Sequence, residues 1–294
     1  MGKPFQLLNA RRRAESLLRD EGIDRLPVDP FEIAQTRDIV VQANPDTEPG
    51  VSGMLLRHGN DFGILYATRI ASEGFRRFSV SHELGHYFLD GHVDQLLKDG
   101  VHTSHAGFVT ADPYELEADH FAAGLLMPER PFKNFMADLD GGLDAVIALA
   151  EQCQTSRTAT AIRFAELSRQ ATAVIVSTGD TIDYCFMSDA MKTLPNLSWL
   201  RKGTRLPAGT ATLAFAARRD EVLAGKSISD EVDVRDWLGG ETRRSVLEES
   251  IGLGAYGKVL TVLSSKTIGR DDDEGDEDEW EEECLVKSWT PRFR

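Results

Sequence analysis

An α+β fold in two domains is what this sequence predicts. Three observations predict it: short β-prone segments gathered between helical stretches in the first half, a change to strand-rich texture near residue 170, and a length of 294 residues, enough for two separate cores. With 41% hydrophobic and 28% charged residues the composition is that of a soluble globular chain. No apolar run approaches the roughly 20 residues that cross a bilayer, so no membrane role is expected.

In chain order, residues 9–21 carry Ala, Leu and Arg at helical spacing, closed by Gly22, Pro27 and Pro30. A short second helix fits 28–35. Residues 38–42, 53–57 and 63–68 are β-prone and broken by Gly, Asn and Asp, which reads as a small antiparallel sheet. A helix follows over about 73–89, ended by Asp90-Gly91. Asp112-Pro113-Tyr114-Glu115 supplies an N-cap aspartate, proline at the first helical position and a glutamate three residues after the cap, so a helix starts there and runs to Met127-Pro128. Residues 143–153 and 156–167 read as two helices across a short turn. Beyond them 171–177 and 181–186 form a hairpin across Gly179-Asp180, and 258–264 is a further strand, with helical stretches between. The expected domains are 1–169, with 143–168 as its helix-turn-helix-like part, then a smaller mixed α/β domain over 170–266. The segment 267–294 is an acidic tail, nearly all Asp and Glu over 269–283, which cannot build a core and is expected to be disordered.

The formal charge of −15 disfavours broad affinity for nucleic acid, although much of it sits in that tail. Cys153, Cys185 and Cys284 are odd in number and widely spaced, which suits thiols in a reducing compartment rather than a disulfide framework. The N-terminal arginines have no apolar stretch behind them, so no secretory signal is expected and the cytoplasm is the expected location.

The chemistry concentrates in His82-Glu83-Leu84-Gly85-His86. On a helix, residues four apart lie on one face, so His82 and His86 can offer two imidazoles to one ion. Glu83 lies beside that face, where a carboxylate can take a proton from the attacking water instead of binding the metal, which is why this spacing encodes hydrolysis as well as binding. Zinc suits such a site, and manganese or iron could take the same ligands. The third ligand is open among Glu115, His92 and Glu117. Glu115 leads, because Asp119 follows one turn later and can fix the outer nitrogen of a ligand histidine. Glu117 is expected to point away. His92 has the spacing of a third histidine, but Leu89 stands where the required glycine would be. Tyr114, His102, His105 and His120 are candidates for a second oxyanion donor by nearness in sequence alone.

Phe78-Ser79-Val80-Ser81-His82-Glu83-Leu84-Gly85-His86, with Glu115-Leu116-Glu117-Ala118-Asp119-His120-Phe121-Ala122-Ala123-Gly124-Leu125-Leu126-Met127-Pro128, resembles the ImmA/IrrE family of metallopeptidases. Leu26-Pro27-Val28-Asp29-Pro30 looks like the family's opening, so the resemblance spans about 10–167. It implies a gluzincin-like catalytic domain in a bacterial or mobile-element protein, with His82, His86 and Glu115 as metal ligands and Glu83 as catalytic base. It further implies cleavage of a partner helix-turn-helix repressor, inducing genes after DNA damage or other stress, and a sensory or regulatory C-terminal domain. Residues 152–159 have the rhythm of a helix-turn-helix, but Arg157 and Arg163 are a small basic footprint, so direct DNA binding ranks below protein cleavage. The alternative function is a DNA- or repressor-binding regulator with a non-catalytic metal site. No oligomeric state is assigned.

Overall fold

The computed structural model describes residues 3–69, 72–105, 112–241 and 243–268; the expected acidic run at 269–283 and Cys284 lie outside them. These residues form two compact units. One comprises the chain up to Asn134 together with Ala150–Ser156; the other comprises Phe135–Leu149 and the chain from Arg157 onward. Among the described residues no helix is long and apolar enough to cross a membrane.

The first unit runs α1 (Lys3–Asp20), α2 (Pro30–Gln35), β1 (Val40–Asn44), β2 (Val51–His58), β3 (Asp61–Ala67), α3 (Glu73–Phe88), α4 (His92–Leu96), β4 (Val101–His105), α5 (Pro113–Leu126) and α6 (Glu129–Ala137). The sheet has the order β1-β3-β2-β4. It is mixed rather than wholly antiparallel: β2 runs antiparallel to β3 and β4, but β1 lies parallel to β3, with Val40 opposite Gly63. Propensity marks the strands but not which neighbour each one takes, so the parallel pair left no trace in the sequence.

Two capped helices carry the site. Ser72 accepts a hydrogen bond from the amide of Phe75 at the start of α3, and Asp112 accepts one from Tyr114 at the start of α5, with Pro113 behind it. α5 is buried from Ala118 through Leu126 and is held close on two sides by small residues. A Cβ on Gly85 would lie 3.0 Å from Ala118 Cα, and one on Gly124 would lie 3.0 Å from the Arg11 carbonyl. Gly85 thus brings α3 against α5, and Gly124 brings α1 against it. The core beneath contains Val80, Leu84, Phe121 and Leu125, and Phe88 stacks on Phe121 at 5.9 Å. The buried Arg77 donates to the Val28 carbonyl and so ties the entry of α2 to α3.

In the second unit α7 (Gly142–Cys153), which begins there, and α8 (Arg157–Leu167) precede β5 (Ala171–Thr178), β6 (Thr181–Met187), α9 (Asp189–Lys192), α10 (Ala211–Ala216), α11 (Arg219–Leu223), β7 (Ser227–Asp233), α12 (Val234–Leu238), β8 (Ser245–Gly252) and β9 (Lys258–Ser265). The five strands are ordered β6-β5-β9-β8-β7, all antiparallel. The hairpin turns at Gly179, whose φ of 58° suits glycine. The helical stretches expected between the hairpin and β9 are there as α9 to α12, but β7 and β8 were not read as strands. The reason they misread is chemical: the inward positions of β8 are Val246, Glu248 and Ser250, so polar residues occupy the buried face.

Glu248 is fully buried without a cation. One oxygen accepts from the amide and hydroxyl of Thr212, each at 2.6 Å, and the other from the indole N–H of Trp237 at 3.0 Å. Ser250 and Thr261 complete the network at 2.8 Å. Glu248→Ala would orphan two buried N–H donors and open a void. We expect a loss of about 3 kcal/mol in urea unfolding, with zinc affinity of the first unit unchanged.

Candidate metal centre

α3 presents His82 and His86 on one face, and α5 brings Glu115 to meet them. Imidazole and carboxylate atoms of His82, His86 and Glu115 all lie within 4.8 Å of one another. The two Nε2 atoms are 3.1 Å apart, with Glu115 oxygens 3.3 Å from His82 Nε2 and 3.4 Å from His86 Nε2. Of the three candidates for the third position, Glu115 is the one that joins the histidines.

The outer side of each imidazole is held as well. His82 Nδ1 donates to Asp119 Oδ1 at 2.9 Å, the contact expected of Asp119. His86 Nδ1 lies 3.0 Å from His92 Nδ1, and His92 Nε2 lies 3.2 Å from Glu117 Oε2. Neither His92 nor Glu117 belongs to the three-residue cluster. Glu117 does not point away from everything; it meets His92.

Glu83 lies one residue along α3 and is fully buried, and among the described residues neither carboxylate oxygen has a hydrogen-bond partner. Three features shape its niche. Gly53 on β2 leaves the space the carboxylate occupies, since a Cβ there would fall 2.5 Å from Glu83 Oε1. The β2–β4 register shifts between Val51 and Gly53, a bulge at the same place. The buried Ser104 hydroxyl on β4 is close enough to favour the ionised carboxylate, although it closes no hydrogen bond of ordinary length with it. The two groups face each other without bonding.

His102, also on β4, reaches Glu115 Oε1 at 2.8 Å, with its ring 4.6 Å from that of His86. Of the other proposed donors, Tyr114 packs edge-on against His92, His120 is buried within α5, and His105 is exposed on β4. Gly53 and Ser104 were missed at the sequence level. The one available signal was the two-residue spacing of His102 and Ser104, which on a strand puts both on the same face.

The electrostatics fit a small dication. Burial opposes charge on His82, but Asp119 and Glu115 outweigh it and push its pKa up to about 10. Burial pushes His86 down to about 3. Against burial, contacts with His102, His82 and His86 hold the Glu115 carboxyl well below the usual carboxylate range. Burial raises Glu83 to about 7. A cation among two imidazole nitrogens and an ionised carboxylate would take over the role of the proton on His82, and this donor set is one that suits zinc.

The helix-turn-helix-like segment does not offer its expected arginines together. Thr160 through Ala165 are all buried in α8, and Arg163 among them pairs with Glu166 at 3.3 Å; Arg157 is exposed.

No curated protein matches the chain. Among solved structures it is similar in fold to a Mycobacterium tuberculosis transcriptional regulator, with a TM-score of 0.55 at 16% identity, over 87% of this chain and 75% of that one. Residues 34–165, which hold all three cluster residues together with Glu83 and Asp119, match the peptidase M78 family, described as the IrrE N-terminal-like domain, and this match is consistent with the ImmA/IrrE family.

Proposed function

We propose that this chain is a zinc-dependent endopeptidase that cuts a partner helix-turn-helix repressor and so induces a stress, DNA-damage or mobile-element response. The observation that carries the reading is the buried, unpartnered Glu83 carboxylate beside the His82, His86 and Glu115 cluster. A structural metal site has no use for it, because burying a carboxylate without hydrogen bonds is costly.

When bound by these three residues, zinc supplies Lewis-acid polarisation of the scissile carbonyl. Everything else falls to the chain. Glu83, raised to about 7, sits near the working pH, where a carboxylate can both take a proton from the attacking water and return it to the leaving amine. Asp119 holds His82 with its Nε2 facing the cluster. His102 can turn an N–H toward negative charge developing on the carbonyl oxygen. β4 is an edge strand among the described strands, and its His102 and Ser104 face the cluster, so an extended peptide can add beside it as a further strand.

The protein with a similar fold bears the name transcriptional regulator, in keeping with a target that controls transcription. The buried Arg163 speaks against direct DNA binding as the main role. We further propose that it works in the cytoplasm, where Cys153 and Cys185 stay as thiols. The domain over 170–266 is proposed to be sensory or regulatory.

The test is to incubate the protein with the repressor-like protein encoded beside its gene, with zinc, with manganese and with a chelator. Cleavage by the metal-loaded wild type alone, and none by Glu83→Gln, is expected. Equal cleavage by both proteins would overturn the reading.

A further inference from the structure

His92 was weighed at the sequence level as a third metal ligand. The structure gives it a different employment. Its ring is fully buried, and both nitrogens are engaged: Nδ1 with His86 Nδ1 at 3.0 Å and Nε2 with Glu117 Oε2 at 3.2 Å. Gly91, with φ of 81°, makes the turn that starts α4 and carries His92 back toward α3. Tyr114 packs edge-on against the ring at 4.9 Å. A histidine whose two nitrogens are both used, in a place water does not reach, has few protonation patterns available to it.

We infer that His92 and Glu117 are positioning residues that set the tautomer of His86 and so prepare it to receive the metal; the inference rests on the reading of His86 as a ligand. A carboxylate accepts and does not donate, so Glu117 fixes the hydrogen of neutral His92 on Nε2. His92 Nδ1 is then left with a lone pair, and the 3.0 Å contact closes only if His86 carries its hydrogen on Nδ1. That leaves the lone pair of His86 Nε2 facing Glu115 and His82, where an ion would sit. The negative end of Glu117 is thus transmitted through one imidazole to the next. His82 gets the same service directly from Asp119, without an intermediate ring. The two ligand histidines are therefore held by carboxylates at different removes.

The alternative is that His92 only fills space. His92→Phe preserves ring volume but cannot accept from His86, whereas His92→Asn keeps an acceptor oxygen near the place of Nδ1. Glu117→Gln keeps the shape at a position that is not fully buried but removes the charge, and it serves as the reporter if His92→Phe folds poorly. The readouts are zinc affinity by competition with a chelator and the imidazole nitrogen resonances of the metal-free protein. We expect wild-type His86 to carry its hydrogen on Nδ1 before metal is added. His92→Phe should shift it to Nε2 and weaken zinc about 10- to 100-fold, in the range found for outer partners of metal ligands. His92→Asn should recover most of that loss, and Glu117→Gln should weaken zinc severalfold. Equal zinc affinity in wild type, His92→Phe and Glu117→Gln would overturn the inference while leaving the metal centre intact. Failure of the wild type to bind zinc would overturn both.

Discussion

Glu83→Gln is expected to abolish cleavage and, at the same time, to make the metal-free protein more stable. The amide cannot take the proton from water, so the rate should fall by about 10²–10⁴-fold or more, with zinc still bound. Stability should move the other way, because the glutamate is fully buried with no hydrogen-bond partner for its oxygens. Its carboxyl is raised by burial from 4.5 to about 7 in the folded metal-free protein. A carboxyl raised on folding contributes its stability below pH about 4.5, and that contribution is lost as pH rises through about 7. Above that pH the wild type carries a penalty of about 1–3 kcal/mol that glutamine does not share. The unfolding free energies of the two metal-free proteins should therefore differ most at pH 8 and converge toward pH 5. A variant that loses activity and also loses stability at pH 8 would show that Glu83 is held by bonds rather than by shape.

Gly53→Ala is expected to damage catalysis from outside the motif. The φ of Gly53 is not positive, so alanine meets no backbone strain. It meets the carboxylate instead: the new Cβ would fall 2.5 Å from Glu83 Oε1 and 3.1 Å from its Cγ. The buried side chain must shift by about an ångström, and misplacement on that scale costs on the order of 10²-fold in rate. Zinc affinity should stay within about threefold of wild type, because the three atoms nearest the added Cβ all belong to Glu83; the packing strain should cost about 1–3 kcal/mol. Measuring cleavage against zinc concentration separates the two effects. Wild-type turnover in Gly53→Ala would mean that the position of Glu83 against β2 does not matter.

What could be read from the sequence was whatever a local pattern encodes. The extent of α3, the capped start of α5, the four-residue spacing of His82 and His86, and the placement of Glu115 and Asp119 one turn apart all follow from helical periodicity and end chemistry. What could not be read needed a partner distant in sequence. β4 is Val-His-Thr-Ser-His, a strand with one apolar residue, and only its pairing with β2 makes it a strand. Gly53 read only as the first residue of a β-prone segment; its reason is Glu83, thirty positions later. His92 had the spacing of a ligand, and only the position of Glu117 assigns it to His86 instead. Residues 156–167 read as a helix and α8 spans 157–167, but its burial in the fold removed the basic face that a DNA reader needs.

We propose that one ion is held by two imidazoles and a carboxylate, from His82, His86 and Glu115. X-ray absorption at the zinc edge of the loaded protein tests it most directly. One zinc per chain, two imidazole nitrogens at about 2.0–2.1 Å, oxygen donors for the rest and no sulfur are expected, with zinc weakened when Glu115 is replaced by Ala. A sulfur ligand, a third imidazole, or an unchanged zinc site in Glu115→Ala would contradict it.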